Sequence, residues 1–478
     1  MDNPIYTTAA GLAAAIAAGK LSSSEAVEAH FAQIEARDGE VNAMTTLDRE
    51  GALVAAREAD AKVAKGEVVG PLHGVPITIK DAFATKELRT TAGWPDFADH
   101  VPDADAPTVA RLRAAGAVII GKTNMPPLGQ DFQTYNEIFG ETKNPWNLDC
   151  TPGGSTGGGA AAVAAGFSPL ELGSDIGGSV RIPPHYCGCF SMMPTEWRTP
   201  VTGHLPDPLW PKANRYMLRA GIVARDIADL RTGYELTAGP DGIETEVPPV
   251  PLERAPHRSL QDLRIGWIAS WGEIPATADT QALIGSLAQR LADAGATVEE
   301  GGPADFDYHA MWECWSLVLN YMSRAFVKGE MLERLRGMAE NRERYRVLIA
   351  QGARQDTPGY FEALNERDAL IRKLTAYFGD VDVWITPVSA GPAFRRCKPG
   401  TPIAFDGKEY PYWQAATYYS ALGNVAGLPA VVIPLGRSAD GLPIGCQIMG
   451  PRWGEAALLD AAGEIAAVTD GFRRPPGY

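Results

Sequence analysis

Two glycine-rich segments and one lysine carry the residue types that acyl transfer needs. The first segment is Thr151-Pro152-Gly153-Gly154-Ser155-Thr156-Gly157-Gly158-Gly159, followed by the helix-forming run 160–165. Glycines ahead of a helix start let backbone N–H groups converge on one point. The second segment is Leu172-Gly173-Ser174-Asp175-Ile176-Gly177-Gly178-Ser179-Val180-Arg181-Ile182-Pro183. Gly177 and Gly178 permit a tight turn before Ser179. In such a turn the amides of Ile176, Gly177, Gly178 and Ser179 can face a developing oxyanion, with Asp175 and Arg181 flanking it as a charge pair. A serine nucleophile needs a base. None of the seven histidines sits in an H-E-x-x-H. His73 and His185 lie near the loops but read as structural. Lys80 closes the apolar run Ile77-Thr78-Ile79-Lys80. Desolvation there disfavours the charged form, so a neutral amine is available as a base.

The elements that must position these residues are those of a layered α/β fold. Residues 7–65 read as helical, with Ser22 to Ser24 available as caps before AVEAHFAQIEARD. A short helix over 108–115, a stop at Gly116 and the buried-strand run 118–122 form a helix–glycine–strand pattern. Further strands are expected at 263–268, from 297, at 382–386 and at 430–435. Helices are expected at 279–294, 358–378 and 455–468, with a long aromatic-rich helical region over 306–346. No internal repeat or long low-complexity linker divides the chain, so one compact unit is expected.

Composition limits the function classes. The 478 residues are 45% hydrophobic, enough for a large core, and carry 43 Lys and Arg against 58 Asp and Glu, a net charge of −15. That balance argues against nucleic acid or anionic membrane as principal partners. Cys150, Cys187, Cys189, Cys314, Cys397 and Cys446 form no disulfide framework. The Cys187–Cys189 pair lacks the second pair that a zinc site requires. Buried free thiols in a reducing compartment are expected. The start lacks a basic targeting region, and no apolar run reaches membrane-spanning length, so the cytoplasm is expected.

Lys80, Ser155 and Ser179, in that order and 75 and 24 residues apart, resemble the amidase signature family. The matching motifs are Ile79-Lys80-Asp81, Gly153-Gly154-Ser155-Thr156-Gly157-Gly158 and Gly177-Gly178-Ser179-Val180-Arg181-Ile182-Pro183. Leu72-His73-Gly74-Val75-Pro76, Gly121-Lys122-Thr123-Asn124-Met125 and Asn424-Val425-Ala426-Gly427-Leu428-Pro429 extend the likeness over about residues 10–465. The resemblance implies a single large three-layer αβα domain with a mixed central sheet. Residues 1–70 would be a helical segment packed on a domain spanning 71–478, with 300–375 on the substrate side. It implies that Ser179 is the nucleophile, that a cis peptide bond precedes Ser155, and that Lys80 is a neutral base working through Ser155. No metal or organic cofactor is implied. Thr156 stands where the family has a second serine and keeps the hydroxyl.

The substrate side departs from the family pattern. Ser191-Met192-Met193-Pro194-Thr195 replaces Gly-Leu-Lys-Pro-Thr, which removes a positive charge and adds a pliable apolar side chain. Met192, Met193, Trp197, Trp312, Trp315, Tyr321, Tyr412 and Trp413 are expected to line an apolar pocket. Trp210, Tyr216 and Phe326 add to the aromatic runs. Apolar or aryl amides follow as expected substrates, with carbamates and esters as side reactions, and kinship with aryl-acylamidase and carbamate-hydrolysing bacterial amidases. One alternative is the glutamine-hydrolysing subunit of a tRNA-dependent amidotransferase. That branch carries an Asp seven residues before the Asn of its Asn-Leu-Ala-Gly-Leu-Pro motif, and Thr417 stands there here. Another is a non-catalytic binding protein on the same fold. A small-molecule amide is the expected partner, with a homodimer as the base-rate assembly.

Overall fold

A computed structural model describes residues 4–206, 216–252, 256–323 and 357–478. Trp210 and Phe326 lie outside the described residues, as does much of the helical region expected over 306–346. Eleven strands form one mixed sheet. In chain order they are β1 (Met44–Leu47), β2 (Pro76–Lys80), β3 (Val118–Thr123), β4 (Leu170–Asp175), β5 (Phe190–Met193), β6 (Arg219–Ala224), β7 (Arg264–Trp267), β8 (Thr297–Glu300), β9 (Val383–Pro387), β10 (Ala430–Arg437) and β11 (Pro443–Met449). Their spatial order is β1-β3-β2-β4-β6-β5-β10-β11-β9-β7-β8. The contacts β3–β2–β4 and β9–β7–β8 are parallel and the others antiparallel.

Helices cover both faces, which is why the central strands are apolar at nearly every position. The period-2 pleat divides neighbours between the two sides. Val431 and Ile433 enter one core and Val432 the other. On one face lie α1 (Ala9–Ala17), α4 (Pro107–Ala114), α7 (Ile227–Thr237), α8 (Ala278–Asp293) and α13 (Glu455–Ala467). The other face carries α5 (Gly157–Ala164), α6 (Ile182–Cys187), α9 (Tyr308–Ser323), α10 (Thr357–Asp380), α11 (Tyr412–Thr417) and α12 (Ala421–Val425). Helices α2 (Ser23–Val41) and α3 (Arg49–Val63) pack with Val118, Ile120, Ala161 and Ala162 in a third apolar cluster. The start of α2 is a capping box in which Ser22 and Glu25 satisfy each other's amides. The chain is therefore a single α/β domain with a large mixed sheet between helical layers. Among the described residues, no helix is long and apolar enough to cross a membrane.

Both glycine-rich segments connect a strand or loop to a helix on the face of α5 and α6. The first leads into α5, and the second is the turn between β4 and α6. Strand β2 runs parallel to β4, with Ile79 opposite Leu172, so Lys80 and Asp175 end neighbouring strands at the same edge.

Candidate active site

Lys80 is fully buried at the end of β2. Its Nζ donates to Ser155 Oγ at 2.6 Å and to Ser174 Oγ at 3.0 Å. Burial brings the amine down to about 7, against the opposing charges of Asp175 and Glu171. Ser155 stands in the loop before α5, after a cis Gly154–Ser155 peptide bond. Gly154 touches the preceding loop so closely that a Cβ would meet the Asp131 carbonyl oxygen at 2.5 Å. Thr156 occupies the N-cap position of α5 without a side-chain cap bond, and its hydroxyl donates instead to the Ser174 carbonyl oxygen at 3.3 Å. The Thr156 amide donates to the Ser179 carbonyl oxygen at 3.2 Å and ties the two glycine-rich loops together.

Asp175 shapes the turn that carries Ser179. Its Oδ1 accepts from the Gly178 amide at 2.8 Å and its Oδ2 from the Val180 amide at 2.9 Å. Arg181 is fully buried and donates through Nε and Nη2 to the same carboxylate. Burial alone would raise Asp175, but the Arg181 charge and hydrogen bonds, with those of Asn424 and Val180, outweigh it and hold the carboxyl at about 2. Arg181 also donates to the Ser420 carbonyl at 2.7 Å, to Gln447 Oε1 at 2.8 Å and to Asn424 Oδ1. These bonds anchor the turn to α12 and β11.

One expectation for this turn changes. The Gly178 amide is committed to Asp175, so it does not face the oxyanion position. The amides of Ile176, Gly177 and Ser179 are the remaining candidates. Gly178 itself adopts φ +121°, and a Cβ there would fall 2.6 Å from Ser420 Oγ.

The aromatic residues divide. Trp315 is brought to the turn: its Nε1 donates to the Ile176 carbonyl at 3.0 Å, and a Cβ on Gly177 would lie 2.6 Å from its ring. Trp312 lies beside Trp315, with ring centroids 6.4 Å apart, and donates to Thr417 Oγ1 at 3.0 Å. Tyr412 and Trp413 reach the loop before Ser155. The Tyr412 hydroxyl donates to Asp131 Oδ1 at 2.5 Å, and the Trp413 ring meets Phe132 edge-on at 5.2 Å. Met192 is a correction. It points into the core on the opposite face of the sheet, with Ile222 and Phe190, because β5 alternates its side chains. Met193 does face the site's layer, but it is buried against Arg219 Nη1 at 3.2 Å and Asn424 Nδ2 at 3.6 Å, beneath the turn. Trp197 packs on Tyr216 and the Arg452 guanidinium, and Tyr321 on Tyr360 further along α9.

Sequence reasoning did not single out Ser174, His204 or Asp131. Ser174 is the second partner of Lys80, and its hydroxyl at a strand end beside Asp175 is the signal available for it. Asp131 accepts from Tyr412, a bond between segments far apart in the chain, and from the neighbouring Tyr135 hydroxyl and Phe132 amide. His73 and His185 are structural, bound to backbone groups of Val69 and Ala59 and of Gly391 and Gly445 respectively.

The sequence profile described as Amidase matches residues 25–459. The chain belongs to the amidase family. A glutamyl-tRNA(Gln) amidotransferase subunit from Moorella thermoacetica is 34% identical over 98% of each chain. A solved structure from a study of a vestigial protein complex and the origins of an s-triazine catabolic enzyme has a TM-score of 0.83 at 29% identity. It covers 98% of this amidase and 99% of that chain. A bacterial aryl acylamidase of the amidase signature family has a TM-score of 0.82 at 25% identity, covering 97% and 96%. The expected kinship with aryl-acylamidase and carbamate-hydrolysing amidases is thereby corrected. Eight curated relatives at 31–34% identity all bear the glutamyl-tRNA(Gln) amidotransferase name. The amidase is an amidohydrolase, and its finer assignment starts from those relatives.

Proposed function

We propose that the amidase hydrolyses a linear carboxamide through an acyl-enzyme on Ser179, with protons relayed by Ser155 to Lys80. The observation that carries this reading is the 2.6 Å contact between Lys80 Nζ and Ser155 Oγ in a fully buried site. An amine brought to about 7 is partly neutral near neutral pH and can accept a proton. Lys80 takes the Ser155 proton as Ser155 takes that of Ser179. Ser179 Oγ then bonds to the carbonyl carbon, and the oxyanion meets the amides of Ile176, Gly177 and Ser179. As the C–N bond breaks, the leaving nitrogen receives the proton back through Ser155. Water enters by the same relay, its oxygen bonds to the acyl carbon and Ser179 is released.

The relatives favour the carboxamide of glutamine as substrate, since they are named as amidotransferase subunits. One observation favours a second reading, an amide with an apolar acyl side. Thr417 is buried, accepts from Trp312 Nε1 and donates to the Trp413 carbonyl at 2.6 Å. Position 417 thus presents no carboxylate to an ammonium group, and Trp312 lies against it. Ammonia release from L-glutamine and from phenylacetamide, with Ser179→Ala as blank, separates the readings by their kcat/KM ratio. Preference for glutamine upholds the first and preference for phenylacetamide the second. Inactivity on both, with no fluorophosphonate labelling of a folded protein, overturns the serine relay.

A further inference from the structure

Lys80 has a second hydroxyl partner outside the Ser179–Ser155 relay. Ser174 Oγ lies 3.0 Å from Lys80 Nζ and 2.8 Å from His204 Nε2, and all three side chains are buried. The backbone fixes His204 in this place. The Ala84 amide donates to the Gly203 carbonyl at 2.8 Å and the Leu205 amide to the Ala82 carbonyl at 2.7 Å, with Phe83 and His204 paired between them. The imidazole also meets the Phe83 ring edge-on at 5.0 Å. Residues 82–84 lie two to four positions after Lys80, so this stitch sets the ring relative to the amine.

A neutral amine has two N–H donors and one lone pair. To accept the Ser155 proton, Lys80 must aim that lone pair at Ser155. Its contact with Ser174 must then be one in which the amine donates. Ser174 has a single proton, and where that proton points decides the matter. Burial, reinforced by the nearby Lys80 charge, lowers His204 to about 3, so the ring is neutral. We infer that His204 is a positioning residue: its Nε2 accepts the Ser174 proton, which makes Ser174 a pure acceptor toward Lys80 and aims the Lys80 lone pair at Ser155. Without His204, the Ser174 proton can turn onto the lone pair and compete with Ser155. The inference rests on the Ser179–Ser155–Lys80 reading.

The test uses the full chain and an alkyl fluorophosphonate. The Ser179 Oγ–P bond forms, the P–F bond breaks with loss of fluoride, and the Ser179 proton passes through Ser155 to Lys80. The constants kinact and KI are measured for the parent, His204→Phe, His204→Gln, Ser174→Ala and the His204→Phe, Ser174→Ala double variant. His204→Phe is expected to lower kinact about tenfold with KI unchanged, a fraction of a full general-base effect. His204→Gln offers an acceptor oxygen and restores most of the rate. In the Ser174→Ala background, His204→Phe has no further effect. Parent-like kinact in His204→Phe overturns the inference, as does an equal loss with and without Ser174, which is what lost packing gives. Should His204→Phe fail to melt cooperatively, His204→Leu takes its place in the same cycle. Lys80→Ala distinguishes the two claims. Undiminished labelling there sinks the relay itself, whereas a silent Lys80→Ala beside an unaffected His204→Phe sinks only the role of His204.

Discussion

Lys80 and Lys122 sit on adjacent parallel strands, one residue apart in register, and both are fully buried. Burial lowers both amines, Lys80 to about 7 and Lys122 to about 8. Their partners differ in kind. Lys122 Nζ donates to the Phe83 carbonyl at 2.5 Å, to Thr85 Oγ1 at 3.0 Å and to Thr90 Oγ1 at 2.9 Å. Both threonine hydroxyls already donate to carbonyls, at 3.1 Å each, so all three partners act as acceptors. Three acceptors match the three donors of an ammonium and leave a neutral amine's lone pair facing an oxygen. Lys80 meets two serine hydroxyls instead, and a hydroxyl can give a proton as well as receive one. Burial makes a neutral lysine accessible in both places, but only the partners at Lys80 suit the base of the proposed relay.

The widest separation between the two lysines should appear in activity. Lys80→Ala is expected to lower kcat/KM by about 10²–10⁴-fold, measured on whichever amide the parent turns over. Lys122→Met should keep the activity of folded protein within about threefold, since a structural ammonium takes no part in proton transfer. In stability the order reverses. Lys122→Met removes three hydrogen bonds to buried oxygens and should cost about 3 kcal/mol in urea unfolding, whereas Lys80→Met should cost under about 1 kcal/mol because its serine partners can re-pair. The pH profile sharpens the contrast further. On the proposed relay the neutral Lys80 amine is the active form, so kcat/KM should rise with pH up to about 7 and then level off, with the same acid limb in Lys122→Met. A limb that moves in Lys122→Met would break the comparison. The smallest effect is expected from Thr90→Val, which removes one Lys122 acceptor at nearly constant shape. It should lower stability by about 1 kcal/mol and leave the acid limb in place.

Much of this site is legible in the sequence, for local reasons. Glycines before Ser155 and Ser179 mark backbone that approaches its neighbours closely, and Lys80 at the end of an apolar run marks a desolvated amine. The layered fold follows from the helix–glycine–strand pattern over 108–122 and from apolar strand runs. What escapes the sequence is long-range or orientational. His204 reaches Ser174 only because residues 203–205 fold back along 82–84, and no spacing announces that. The commitment of the Gly178 amide to Asp175 depends on the shape of the turn. Met192 lies within reach of period-2 reasoning, since it and Met193 must face opposite ways, but which of them faces the site is decided by tertiary packing. The aromatic runs show the same limit: Trp315 lies against the turn and Tyr321 does not, although both lie on α9.

The central claim is that Lys80, and not its equally buried neighbour, is the amine that changes protonation to do work. Selective ¹⁵Nζ-lysine NMR over a pH series tests it directly, with Lys80→Ala and Lys122→Met assigning the two buried resonances. The account predicts a Lys80 signal that titrates near 7, as expected for a largely desolvated amine facing serine hydroxyls. A Lys80 signal that stays an ammonium well above that pH, while Lys122 titrates first, would contradict it.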